Sequence, residues 1–89
     1  MNNEGFALMQ DGDYAGAHPL LERAVAALSG SGSIGEAYAS YNLAFTRRAL
    51  GQCEGVLSLL ERSEDVQGKR REIDRLYRQA SKDCGEDDD

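Results

Sequence analysis

Gly5-x-x-Leu8-x-x-x-Gly12-x-Tyr14-x-x-Ala17-x-x-x-Leu21-x-x-Ala24 is followed by Ala44-x-x-Arg47-x-x-x-Gly51-x-Cys53-x-x-Val56-x-x-x-Leu60-x-x-Ser63. Every matched position is offset by 39 residues. A fixed period of roughly 20–50 residues marks a repeat architecture, in which each unit must stack on its neighbours to bury an apolar face. Stacks of this kind present surfaces to other molecules and seldom carry chemistry.

Helical punctuation surrounds both copies. Gly12 and Gly51 stand where a helix would end, because glycine enters the left-handed region at a helix C-terminus without penalty. Asp13 reads as the N-cap of a second helix running to about Leu28, with Leu20, Leu21, Ala24, Val25 and Leu28 as its apolar stripe. Pro19 lies inside that helix and removes one backbone bond. Ser29-Gly30-Ser31-Gly32 reads as a flexible connector. Ser33-x-x-Glu36 reads as a capping box, with hydroxyl and carboxylate each meeting a free N–H. A third helix is expected to about Leu50. A fourth is expected from Cys53 to Glu64, and a fifth from about Gly68 to Asp83 on Ile73, Leu76, Tyr77, Ala80 and Cys84. No stretch alternates like a strand. The expected fold is an all-α antiparallel array of α-hairpins with five helices.

These residues resemble the tetratricopeptide repeat (TPR) family, whose helix–turn–helix unit is about 34 residues long. The resemblance rests on Gly5 and Ala44, the turn glycines Gly12 and Gly51, the run Tyr14, Ala17, Leu21, Ala24, and Tyr41-Asn42-Leu43-Ala44. It implies a domain over 1–84: repeat one at 1–29, a connector at 30–33, repeat two at 34–65 and a capping helix at 68–84. An acidic, disordered tail is expected at 85–89. Cys53, Val56 and Ser63 depart from the family's aromatic, small and Ala positions. At a vaguer level, Glu36-Ala37-Tyr38-Ala39-Ser40-Tyr41-Asn42-Leu43-Ala44 and Arg70-Arg71-Glu72-Ile73 resemble repeat segments that follow actinobacterial serine/threonine kinases. No kinase motif accompanies them.

The TPR resemblance implies a concave face lined by the first helix of each repeat. Its positions fall on Asn2, Phe6, Met9 and Gln10, then on Tyr38, Tyr41, Asn42, Phe45, Arg48 and Ala49. The resemblance thus implies a non-enzymatic interaction module that takes a peptide or a partner helix. The alternatives are a self-associating scaffold joined through the N-terminal edge, and an accessory regulatory domain of a bacterial kinase. The family's Lys/Asn clamp for a C-terminal carboxylate is not expected, since its first-repeat positions hold Asn2 and Phe6.

Composition narrows the remaining classes. The net charge is −6, yet six of the ten bases lie between Lys69 and Lys82. Glu72, Asp74 and Asp83 interleave with them, which suits a solvated helix face better than a phosphate track. Nucleic acid is not an expected partner. No apolar run approaches the roughly 18 residues of a membrane span. One His, His18, and two distant cysteines give no catalytic or zinc spacing, so no cofactor or metal is expected. Cys53 opens one expected helix and Cys84 ends its antiparallel neighbour, which brings the pair within bridging range. A Cys53–Cys84 disulfide would imply an oxidising, extracytoplasmic setting, and free thiols a cytoplasmic one.

Overall fold

A computed structural model describes residues 2–84, without the side chain of Asn2. Its helices are α1 (Asn2–Gln10), α2 (Tyr14–Leu28), α3 (Ile34–Ala49), α4 (Val56–Gln67) and α5 (Arg71–Cys84). Among the described residues there is no strand. Each helix packs on the next, and α3 also touches α1 and α5. The odd-numbered helices therefore adjoin along one side. That arrangement is compatible with stacked hairpins. The expected acidic tail at 85–89 lies outside the described residues.

The repeat holds at the level of single hydrogen bonds. At the end of α1, Gly12 N–H donates to Met9 C=O at 3.0 Å and Asp13 N–H to Leu8 C=O at 2.8 Å. Thirty-nine residues later, Gly51 N–H donates to Arg48 C=O at 3.0 Å and Gln52 N–H to Arg47 C=O at 2.8 Å. Both are Schellman closures, and both glycines have positive φ, 86° and 77°.

The symmetry breaks one residue further on. Asp13 Oδ1 accepts from Gly16 N–H at 3.0 Å and starts α2 at once. The equivalent of Asp13 is Gln52, whose side chain is not among the favoured N-caps. The chain instead turns through Gly55 at φ 74°, and α4 begins at Val56, three residues later than expected. Helix α4 also runs past Glu64 to Gln67, where Gly68 at φ 83° stops it. Helix α5 correspondingly starts at Arg71 rather than Gly68.

Two apolar clusters make the core. Met9, Ala17, Leu21 and Leu43 join α1, α2 and α3. Ala44, Val56, Leu60, Ile73, Leu76 and Ala80 join α3, α4 and α5. Phe45 and Leu59 touch both clusters. Gly5 is a close-approach position: a Cβ there would sit 2.8 Å from Cγ and Cδ2 of Leu21. Ser63 stands where the first repeat has Ala24, and it is fully buried. Its hydroxyl donates to Ala37 C=O at 2.8 Å and accepts from Gln67 Nε2 at 2.9 Å, which satisfies the polar group.

The capping box forms by half, and the connector is not a loose link. Ser33 Oγ accepts from Glu36 N–H at 3.2 Å, as expected. The Glu36 carboxylate does not return to Ser33, whose N–H donates to Ser31 Oγ. It accepts instead from Gly30 N–H at 3.1 Å and Gly32 N–H at 2.8 Å. Arg62 then clamps the same carboxylate from α4, with Nε and Nη2 at 2.8 and 3.0 Å. Glu36 is only 3% exposed. These donors, Arg62 foremost, hold its carboxyl down to about 2.

A disulfide joins Cys53 to Cys84, with Cα atoms 5.6 Å apart. It ties the C-terminal turn of α5 to the loop before α4. Arg48 reinforces that end from α3, with Nε 3.0 Å and Nη2 2.6 Å from Asp83 Oδ2.

Candidate functional site

On the side where α1, α3 and α5 adjoin, a cleft of about 390 Å³ opens. Helix α1 supplies Asn3 and Phe6, and α3 supplies Tyr38, Tyr41 and Asn42. The end of α4 supplies Gln67 and the first turn of α5 supplies Glu72. Tyr38 and Phe6 are large apolar groups left 51% and 40% exposed. Singly exposed aromatics need no explanation, but two facing one concavity make a contiguous sticky wall. An adjoining depression of about 500 Å³ shares Phe6, Tyr41 and Asn42 and adds Met9, Gln10, Tyr14 and Phe45. A chain of tilted rings backs it, with Tyr14–Phe45 and Tyr41–Phe45 centroids 6.2 and 6.3 Å apart.

The polar groups in this concavity are under-used. Asn42 is only 6% exposed, yet its side-chain amide makes no hydrogen bond to any described residue. The amide atoms keep contact with solvent, since the Thr46 hydroxyl is the only fully buried side-chain polar atom without a partner among the described residues. Neither the Tyr38 nor the Tyr41 phenol has a hydrogen-bond partner among the described residues. Burial pushes the Tyr41 phenol up in pKa, and the charge on Glu72 adds to the shift while Arg75 opposes it. Tyr41 therefore stays a neutral donor throughout the physiological range. Glu72 is exposed and carries no ion pair among the described residues.

Of the residues expected on the concave face, Phe6, Tyr38, Tyr41, Asn42 and Phe45 come together. Met9 forms part of the floor, but its side chain belongs to the α1–α2–α3 core and is 8% exposed. Arg48 is diverted, because the Asp83 carboxylate on α5 holds its guanidinium. The side chain of Asn2 lies outside the described residues. Asn3, Gln67 and Glu72 were not expected at the site. Gln67 reaches it only because α4 runs one turn beyond Glu64, and Glu72 only because α5 folds back onto α3.

His18 sits elsewhere, in a clasp between α2, α3 and the loop before α4. Arg47 donates from Nε to His18 Nε2 at 3.3 Å, from Nη2 to Glu22 Oε2 at 3.1 Å and from Nη1 to Glu54 C=O at 3.0 Å. His18 Nδ1 lies 3.6 Å from Glu22 Oε1. The imidazole nitrogen facing Arg47 is thus occupied as an acceptor, and the cluster fixes the α3–α4 turn. Arg71, Arg75, Arg78 and Lys82 line the exposed face of α5, with Arg78 paired to Asp74 at 3.1 Å. Among the described residues no group of three or more His, Cys, Asp or Glu is placed to hold a metal ion. No helix there is long and apolar enough to cross a membrane.

Comparison of the chain with protein-family models, with curated proteins and with solved structures finds no match. The functional reading therefore stands on the site itself.

Proposed function

We propose that this chain is a non-catalytic peptide-recognition module of tetratricopeptide-like build, which takes a segment of a partner protein in the cleft between α1, α3 and α5. The observation that carries the reading is Asn42: a residue only 6% exposed whose amide keeps solvent contact and has no hydrogen-bond partner among the described residues, lining a cleft walled by exposed aromatics. A side-chain amide offers one acceptor and two donors, and a peptide backbone unit needs one of each. The aromatic wall supplies apolar anchorage and the amide fixes the register of the bound segment. The Cys53–Cys84 bridge supports an oxidising setting for this activity, since stable disulfides belong to such compartments.

Selection of displayed random peptides on the disulfide-intact chain tests the reading. Selected peptides are expected to shift the backbone amides of Phe6, Tyr38, Tyr41 and Asn42, and to bind Asn42→Ala about tenfold or more weakly. Peptides that bind Asn42→Ala unchanged would refute it.

A further inference from the structure

The lining of the cleft is asymmetric in charge. Seven residues form it: three aromatics, three amides and one carboxylate, Glu72. No Lys or Arg is among them, although α5 carries more Lys and Arg than any other described helix. Its bases Arg71, Arg75 and Arg78 line a separate depression together with Asp74 and Gln79. Arg75 follows Glu72 by three residues, a spacing that allows an ion pair, but no such pair forms among the described residues. Arg75 does bear on Tyr41 electrostatically, more weakly than Glu72. The mouth of the cleft therefore holds one carboxylate that Arg75 offsets in part but that has no ion pair among the described residues, beside ring faces that are themselves electron-rich.

An apolar or acidic anchor fits this lining poorly. An apolar side chain seated there would strip water from Glu72 without replacing it. An acidic one would meet Glu72 head on. A long side chain with an apolar stem and a cationic head satisfies both parts of the surface.

We propose that the cleft recognises a basic anchor residue, Lys or Arg, of an extended peptide segment, its stem lying against Phe6 and Tyr38, its charge reaching Glu72 and the ring faces of Tyr38 and Tyr41, and its backbone held by Asn42. This inference rests on the peptide-groove reading above and adds the chemistry of the anchor. The net charge of −6 favours the same partner, because it draws basic segments toward the chain at long range.

Three capped pentapeptides test it: Ac-Ala-Leu-Xaa-Leu-Ala-amide with Lys, norleucine or Glu at the centre. Each is titrated into the isotopically labelled, disulfide-intact full chain, and into Glu72→Gln, with backbone amide shifts as the readout. The Lys peptide is expected to move the amides of Phe6, Tyr38, Tyr41 and Asn42 and to bind about tenfold more tightly than the norleucine peptide. Glu72→Gln is expected to remove that advantage by weakening the Lys peptide and tightening the norleucine peptide, and raised salt to narrow it. Equal binding of the Lys and norleucine peptides at the cleft, or an advantage that survives Glu72→Gln, would overturn the basic-anchor inference and leave the groove reading standing. Absence of cleft shifts with all three peptides would overturn both.

Discussion

Opening the Cys53–Cys84 bridge is expected to lower stability by several kcal/mol without changing the fold at rest. The bridge closes a loop with a sequence separation of 31 residues, and that loop contains all of α4 and nearly all of α5. Chain-entropy reasoning gives about 12 cal/mol/K for such a loop, or about 3.7 kcal/mol at 25 °C. The native state keeps its other anchors: Ile73, Leu76 and Ala80 still pack on Val56, Leu60 and Ala44. The reduced chain should therefore retain its helical circular dichroism in buffer yet unfold much earlier in urea. With a urea slope of about 1 kcal/mol/M for a chain of this size, the midpoint falls by about 3–4 M. The assay compares oxidised protein, reduced protein and the Cys53→Ser/Cys84→Ser variant in one buffer. A loss below about 1 kcal/mol in both reduced and variant forms would refute the reasoning. It would mean that α5 is held by packing alone and that the bridge leaves the unfolded ensemble unconstrained.

Three further outcomes follow from single contacts. The Glu36 carboxyl is lowered from 4.5 to about 2, so its stabilisation is complete above about pH 4.5 and is lost as pH falls toward 2. Chemical unfolding measured across that window should show the acid limb in the native chain and a flattened limb in Glu36→Gln. Gly5→Ala should destabilise by about 1–3 kcal/mol in urea unfolding despite the helix-favouring residue, because the new methyl meets Leu21 at 2.8 Å. Thr46→Val should leave the chain as stable or raise its stability by about 1 kcal/mol, because the fully buried Thr46 hydroxyl has no hydrogen-bond partner among the described residues. Thermal melts that fall on Thr46→Val would contradict that account.

The repeat was legible because it is written in local chemistry. Gly12, Gly51 and Asp13 act through bonds to residues within a few positions of themselves, and such bonds can be read from spacing. The helix boundaries after Gly51 were not legible, because they depend on what Gln52 does not do and on the positive φ of Gly55. Glu36 shows the same limit. Its place in Ser33-x-x-Glu36 suggests a local partner, but Arg62 sits 26 residues away and reaches it only once α4 packs on α3. Phe6, Tyr38 and Tyr41, which the TPR resemblance puts on the inner side of α1 and α3, line the cleft, and Phe45 lines the depression beside it. The polar half of the cleft was not foreseen, because Gln67 and Glu72 arrive from the α4–α5 junction and Arg48 is captured by Asp83. Long-range charge pairing redistributes the polar residues, and helical periodicity carries no information about it.

Partner segments are proposed to dock in the cleft between α1, α3 and α5. Amide shift mapping of the disulfide-intact chain with a peptide obtained by display selection tests this most directly. The account predicts that the largest shifts fall on Phe6, Tyr38, Tyr41, Asn42 and Gln67, with α2 and the outer face of α5 quiet. Shifts concentrated on Arg71, Arg75, Arg78 and Lys82, or along α2, would contradict it.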